Sequence, residues 1–232
     1  MILSLTGLIS TGKDTVADYL VEYHGFARYS FASSVKDTLS VIFNWDRESL
    51  EGRTAESREW RNQVDPWWAE RLGISDFSPR IAMQCIGTDV LRNHFNDDIW
   101  IASLEHKLLT VSGNVVITDA RYPNELKMVK QLDGKLWRIE RGAPPPWYDY
   151  AKRYNAASEE TKATLRLQAT SEDDAANIFN CRIHSSEWAW IGSEFDLTLS
   201  NNGNIASLQN TIEESLSYLG SDPMPSTPIH CV

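Results

Sequence analysis

Cysteine is scarce and unpatterned. Cys85, Cys181 and Cys231 are the only three in 232 residues, and with no C-x-x-C spacing they exclude a disulfide framework and a thiolate zinc site. A reducing cytoplasm suits such a chain. Positive charge is also short: 22 Lys and Arg face 32 Asp and Glu, a formal charge of −10, so the broad basic surface that grips nucleic acid is missing. No apolar run reaches the length of a membrane span, and the opening Ile2, Leu3, Leu5, Leu8, Ile9 lacks the basic flank of a signal peptide. Small phosphorylated ligands, held by a few placed arginines, remain allowed.

What is present is a chain 42% hydrophobic and 10% aromatic, enough for one sizeable core. Met1 to Thr6 reads as a buried strand. Lys13 to Tyr23 reads as a helix with Val16, Ala17, Leu20 and Val21 on one face, stopped by Gly25. Phe26 to Phe31 is a second strand, followed by a helix carrying Val35, Leu39, Ile42 and Phe43. Val115 to Thr118, Leu136 to Glu140 and Phe195 to Leu199 are further strands, with helices around Leu126, Val129 and Leu132 and around Ile205 to Leu216. This alternation predicts an α/β domain over residues 1–219, a parallel five-stranded sheet covered on both faces. Residues 45–100, rich in Trp and Arg, and residues 142–183, which begin near Pro144-Pro145-Pro146, stand outside the alternation as an inserted helical region and a lid-like insertion. Residues 220–232 read as a flexible tail.

Three constellations carry chemistry. Gly7-Leu-Ile-Ser-Thr-Gly12-Lys13 has the G-x-x-x-x-G-K spacing of a phosphate-binding loop between a strand and a helix. Backbone N–H groups of such a turn cradle phosphate oxygens and the lysine neutralises charge on the transferring group. The next residue is Asp14 instead of the usual Ser or Thr. It either complements the helix N-terminus or, with Asp119, holds hydrated magnesium. The second constellation is Thr118-Asp119-Ala120-Arg121 at the carboxyl end of a strand, where open parallel sheets bind ligands. Asp119 there is suited to magnesium-bound water or a substrate hydrogen bond, and alternatively to capping a helix. The third is Pro79 to Arg92, where Arg80, Gln84, Thr88 and Arg92 recur every four residues as a polar stripe on a helix, leaving Ile81, Cys85 and Ile86 for the core; the stripe is either a solvated face or, since it carries no acid, a phosphate- and base-reading one.

Taken together, Gly7 to Thr15, Tyr29 to Lys36, Leu50-Glu51-Gly52 with Arg58 and Trp60-Arg61, Pro79 to Arg92 with Ile99-Trp100, Thr118 to Arg121, and His184 to Glu187 with Asn202-Gly203 resemble, in the same order, the deoxynucleoside monophosphate kinases of bacteriophages. The resemblance runs from the first strand to the last helix. Its most specific part is Gln84-x-x-Gly87-Thr88-Asp89 ending in Ile99-Trp100. It implies an adenylate-kinase-like core that moves the terminal phosphoryl of ATP, with Mg2+, to a deoxynucleoside monophosphate in a host cytoplasm, as a homodimer. By that likeness Gly7, Ser10, Thr11, Gly12, Lys13, Asp14 and Thr15 hold the donor. Lys36, Arg58, Arg80, Gly87, Thr88, Trp100, Asp119 and Arg121 line the acceptor site. Lys13, Asp119 and Arg121 are then the expected catalytic groups. Arg141, at a strand end, is a fourth and a candidate lid arginine, with Arg182, Arg153 and Arg166 as rivals. Glu187 is either a substrate ligand or support for a helix start begun by Ser185 or Ser186. Two other readings keep the loop but change the role: a kinase of a coenzyme precursor or of phosphomevalonate, and a regulatory ATPase that switches a partner.

Overall fold

A computed structural model of the chain describes residues 1–168, 178 and 183–220. The chain alternates as expected: β1 (Ile2–Thr6), α1 (Lys13–His24), β2 (Ala27–Tyr29), α2 (Ser33–Phe43), α3 (Arg47–Glu51), α4 (Ala55–Trp60), α5 (Pro66–Leu72) and α6 (Pro79–Gln84). A π-helix (Cys85–Phe95), α7 (Ile99–Leu108), β3 (Val115–Ile117), α8 (Pro123–Gln131), β4 (Lys135–Glu140), α9 (Tyr148–Ala156) and α10 (Glu159–Gln168) follow. A 3-10 turn (Ser185–Glu187), β5 (Leu197–Ser200) and α11 (Ile205–Gly220) complete the described chain. The five strands form one parallel sheet in the order β2-β3-β1-β4-β5. Arg182, Cys181, Cys231 and the tail beyond Gly220 lie outside the described residues. Among those described, no helix is long and apolar enough to cross a membrane.

The residues group into two compact units. The first holds Met1–Ser4 and Ala27–Gly134. In its part of the sheet β3 pairs with β1, Ser4 opposite Ile117, and with β2, Tyr29 opposite Ile117. Val115, Val116 and Ile117 are all buried, as a strand covered on both faces must be. Helix α2 buries Val35, Leu39 and Phe43, four residues apart, and leaves Ile42 half exposed, so Ile42 is off the core face expected for it. The region between α2 and α7 is a run of short helices with clear start signals. Asp46, Thr54, Asp65 and Ser78 each accept a backbone N–H as caps, and Pro66 and Pro79 occupy first helical turns. Its tryptophans pack among themselves. Phe43 stacks on Trp45 at 4.5 Å and meets Trp68 edge-on at 5.0 Å, while Trp60 lies edge-on to Trp45 at 6.1 Å. Trp45 Nε1 donates to Asp65 at 2.8 Å and Trp68 Nε1 to Phe43 O at 3.3 Å, so both indole N–H groups find acceptors within the cluster.

The second unit holds Leu5–Phe26 and the described residues from Lys135 onward. Helix α1 buries Val16, Ala17 and Leu20, but Val21 is 40% exposed, turned off the face assigned to it. Gly25 ends the helix in a left-handed conformation, as expected. Strands β4 and β5 pair from Trp137–Leu197 to Glu140–Ser200. Around them Trp190 meets Tyr148 and Phe195 edge-on, and Asn155 Nδ2 donates to the carbonyls of Trp188 and Ile191. The His184 segment begins a 3-10 turn whose cap is the His184 ring, Nδ1 accepting from Ser186 N at 3.3 Å. The expected serine cap is therefore replaced by histidine, because the turn starts one residue early.

Candidate functional site

The loop after β1 is shaped by two glycines with left-handed backbones. A Cβ on Gly7 would run into the Ile139 carbonyl, and one on Gly12 into the Asn201 side-chain amide, so neither position accepts a larger residue. Asn201, itself buried, donates to the Thr11 carbonyl at 2.8 Å and locks the turn from β5's end. Ser10 adopts a left-handed backbone as well, at φ 62°. Thr11 Oγ1 donates to Leu8 O at 2.9 Å, so this hydroxyl serves the loop itself. Lys13 reaches back across the turn, Nζ donating to Gly7 O at 2.9 Å and Leu8 O at 2.7 Å. Asp14 and Thr15 are exposed in the first turn of α1.

The first unit contains a cavity of about 130 Å³. Phe31, Val35, Met83 and Trp100 give it an apolar side; Thr88, Arg92, Asp119, Arg121 and Glu125 give it a polar one, with Ala32, Gly87 and Tyr122 between. Of the residues expected at an acceptor site, Gly87, Thr88, Trp100, Asp119 and Arg121 come together here from three separate stretches of sequence. Trp100, in the first turn of α7, is buried, and its Nε1 donates to Gly87 O at 2.6 Å. Asp119 does not cap its own helix. Its two oxygens accept Phe31 N at 2.9 Å and Ala32 N at 3.0 Å, tying the end of β3 to the start of α2.

Three expected acceptor residues are elsewhere. Lys36 is buried and donates to Glu51 at 2.9 Å; Glu51 also accepts Arg47 at 2.6 Å. Burial alone would raise the Glu51 carboxyl, but Lys36 and Arg47 hold it down to about 2. Arg58 is exposed and donates to Arg53 O at 3.1 Å. Arg80 is exposed at the start of α6, its backbone N–H on Arg61 O. In the second unit Arg141 is exposed just after β4, and Glu187 is half-buried in the 3-10 turn.

The polar stripe expected along Pro79 to Arg92 breaks at Cys85, where the α-helix becomes a π-helix. With i→i+5 bonding in place of i→i+4, Gly87 and Arg92, five apart, fall on one buried face, while Arg80 and Cys85 are exposed. The single α-helical stripe is thus replaced by two faces with different fates, and Cys85 leaves the core assigned to it.

Arg92, from the expected polar stripe, and Glu125, which the sequence did not single out, add to the polar side of the cavity. Glu125 is buried and serves three donors: Arg121 N at 2.7 Å and Tyr122 N at 3.1 Å on Oε2, and Arg92 Nη2 at 2.6 Å on Oε1. Burial pushes its carboxyl up to about 7, against the pull of Arg92. Arg92, 5% exposed, also lies over the Tyr122 ring at 4.1 Å. Pro123 and Glu125, at the first and third positions of α8, are a readable helix-start signal that placed Glu125 at the site's edge.

A Gly-Lys loop joining a buried strand to a helix, in a parallel sheet of this strand order, defines a P-loop kinase fold. No family model matches the chain. A deoxynucleotide monophosphate kinase of Acanthamoeba polyphaga mimivirus is 30% identical over 155 residues, covering 61% of this chain and 74% of the relative. The deoxynucleoside-5'-monophosphate kinase of Escherichia phage T5 is 27% identical over 184 residues, covering 57% of this chain and 73% of that one. Among solved structures, a shikimate kinase from Aquifex aeolicus overlaps with a TM-score of 0.43 at 15% identity, over 96% of this chain and 100% of its own. A dephospho-CoA kinase from Campylobacter jejuni does so at 0.46 and 12%, over 94% and 96%. The chain belongs to the deoxynucleoside monophosphate kinase family, and it is a phosphotransferase.

Proposed function

We propose that the protein transfers the terminal phosphoryl group of ATP to a deoxynucleoside monophosphate, giving the diphosphate and ADP, and so supplies precursors for viral DNA. One observation carries this reading: Gly87, Thr88, Trp100, Asp119 and Arg121, far apart in sequence, surround one cavity. An apolar side with an indole suits the face of a base, and the polar side with Arg121 suits a phosphate. The loop after β1 takes the donor. Its backbone N–H groups, concentrated at the N-terminus of α1, receive phosphate oxygens, and Lys13 exchanges the Gly7 and Leu8 carbonyls for them.

Phosphoryl transfer asks little covalent help from a protein. It asks that two polyanions meet in line and that their charge be neutralised. Lys13 and Arg121 supply positive charge for the donor and acceptor respectively, and the exposed Arg58, Arg80 and Arg141 are further candidate cations.

The residues fit magnesium held through water. Among the described residues no group of three or more His, Cys, Asp or Glu side chains forms a cage, and magnesium in such enzymes keeps several waters and leans on substrate phosphates. Asp119 is fixed by two backbone N–H groups, which leaves each oxygen a second lone pair for a metal-bound water. The ion, when bound, neutralises donor phosphate oxygens.

A coupled assay with ATP, magnesium and each of dAMP, dGMP, dCMP, dTMP and hydroxymethylated pyrimidine monophosphates tests the reading. ADP formation stimulated by at least one of them is expected. ATP hydrolysis indifferent to all of them would replace it with a regulatory ATPase.

A further inference from the structure

The loop after β1 ties its carbonyls back to side chains. Lys13 holds the Gly7 and Leu8 carbonyls, and Thr11 Oγ1 also reaches Leu8 O. The Thr11 carbonyl takes the side chain of Asn201, Nδ2 donating at 2.8 Å. The lysine ties are given up when Lys13 moves to a donor phosphate; the Asn201 tie does not depend on it. Asn201 is 8% exposed, and its own backbone N–H donates to Glu140 O at 2.7 Å, so it is fixed at the end of the β4–β5 pairing.

What this tie controls follows from the geometry of one peptide unit. In a trans peptide the C=O and the N–H point in opposite directions, so a Thr11 carbonyl held toward Asn201 turns the Gly12 N–H the other way. Among the described residues that N–H has no acceptor. It stands just ahead of α1, whose N-terminus gathers the donors that receive phosphate oxygens, and Gly12 is partly exposed. Gly12 sits at φ 99°, and a residue without a Cβ also admits a rotated Thr11–Gly12 peptide. Rotation would put a carbonyl where the N–H now stands, and a carbonyl repels a phosphate. The Asn201 amide fills the space where a Cβ on Gly12 would be and selects one of the two orientations.

We infer that Asn201 is a positioning residue of the donor site, holding the Thr11 carbonyl so that the Gly12 N–H faces the phosphates of the nucleotide. This rests on the donor role proposed for the loop. It gives the asparagine after β5 a part in nucleotide binding without any contact with the nucleotide.

Two variants and one amide test it. Asn201→Ala removes the tie. Asn201→Asp keeps the size but exchanges the donor for an acceptor, which repels the Thr11 carbonyl and takes the Gly12 N–H in its place. Affinity for magnesium and a non-hydrolysable ATP analogue, measured by calorimetry, should fall about tenfold in Asn201→Ala and further in Asn201→Asp, with the monophosphate KM little changed. By NMR the wild-type Gly12 amide proton should move downfield and exchange more slowly once the analogue binds. In Asn201→Asp it should exchange slowly before any analogue is added. A residue that only fills space gives the reverse order, with Asn201→Ala the weaker binder, and that order overturns the inference. Weak binding by Asn201→Asp with an unprotected Gly12 amide is charge repulsion alone and overturns it too. So does a wild-type Gly12 amide that the analogue leaves unchanged, an observation that decides by itself if neither variant folds. Variants that bind the analogue as well as the wild type overturn the inference and leave the donor reading intact, whereas a wild type that binds no analogue overturns both.

Discussion

Lys36 lies in a block that suggested a substrate ligand, the structure pairs it with Glu51, and Lys36→Met separates the two roles. Lys36 is 11% and Glu51 20% exposed at the side chain, with Nζ 2.9 Å from the carboxylate. A carboxyl brought from 4.5 to about 2 corresponds to about 3 kcal/mol of stability at neutral pH. Removing one partner of a buried pair costs about 3 to 5 kcal/mol, but Arg47 stays on Glu51 at 2.6 Å and softens the loss. A destabilisation of about 2 to 3 kcal/mol at pH 7 is expected, roughly 5 to 10 °C in melting temperature for a chain of this size. Because the folded carboxyl is depressed, this stability is present above pH 4.5 and disappears as pH falls through about 2. The gap between wild type and variant should therefore close over that window. Melting curves from pH 7 to pH 2, with the monophosphate KM measured at pH 7, provide the comparison. An unchanged melting temperature with a KM raised severalfold would refute the structural assignment and return Lys36 to the substrate.

Lys13→Ala should keep the fold and lower turnover by about a hundredfold or more, since it removes charge stabilising the transferring group; near-normal turnover in a folded variant would remove the loop from the chemistry. Arg58→Ala and Arg80→Ala, both exposed, should raise the monophosphate KM by roughly tenfold with ATP binding little changed, and a loss of ATP affinity instead would reverse the division between donor and acceptor. Glu125→Gln probes a carboxyl raised to about 7. A raised carboxyl stabilises the fold below pH 4.5 and loses that contribution as pH rises through 7, so wild type should lose about 3 kcal/mol relative to the glutamine variant between pH 4.5 and 8. Denaturant curves at the two ends measure it, and a constant difference would contradict the assignment.

The first strand, the loop and α1 were legible because their signals are local and agree: a buried apolar run, two glycines with forced backbones and a lysine at fixed spacing. The parallel sheet followed from the alternation of elements. Within the inserted region the individual helices, the stripe from Pro79 apart, were not read from the sequence, although the structure caps them at Thr54, Asp65-Pro66 and Ser78-Pro79. The ion pair of Lys36 was not legible, because it depends on a partner 15 residues away, which no spacing rule picks out. The π-helix had no counterpart in the sequence pattern: residue preferences for α and π are alike, and only tertiary contact chooses between them. Arg92 and Arg80 therefore looked equivalent on paper, whereas one is buried and the other faces solvent.

That wider winding also makes chain length a determinant of chemistry. In an α-helix each step turns about 100°, so five steps carry a side chain well past a full revolution, while in the π form they bring it back nearly to its starting azimuth. Gly87 and Arg92 meet the cavity only because the segment from Cys85 to Phe95 carries residues in excess of what an α-helix would need for the same span. Deleting one residue there would act as a twist, swinging Arg92 around the axis and away from the cavity it lines, while the walls given by Phe31, Trp100 and Asp119 lie outside the segment.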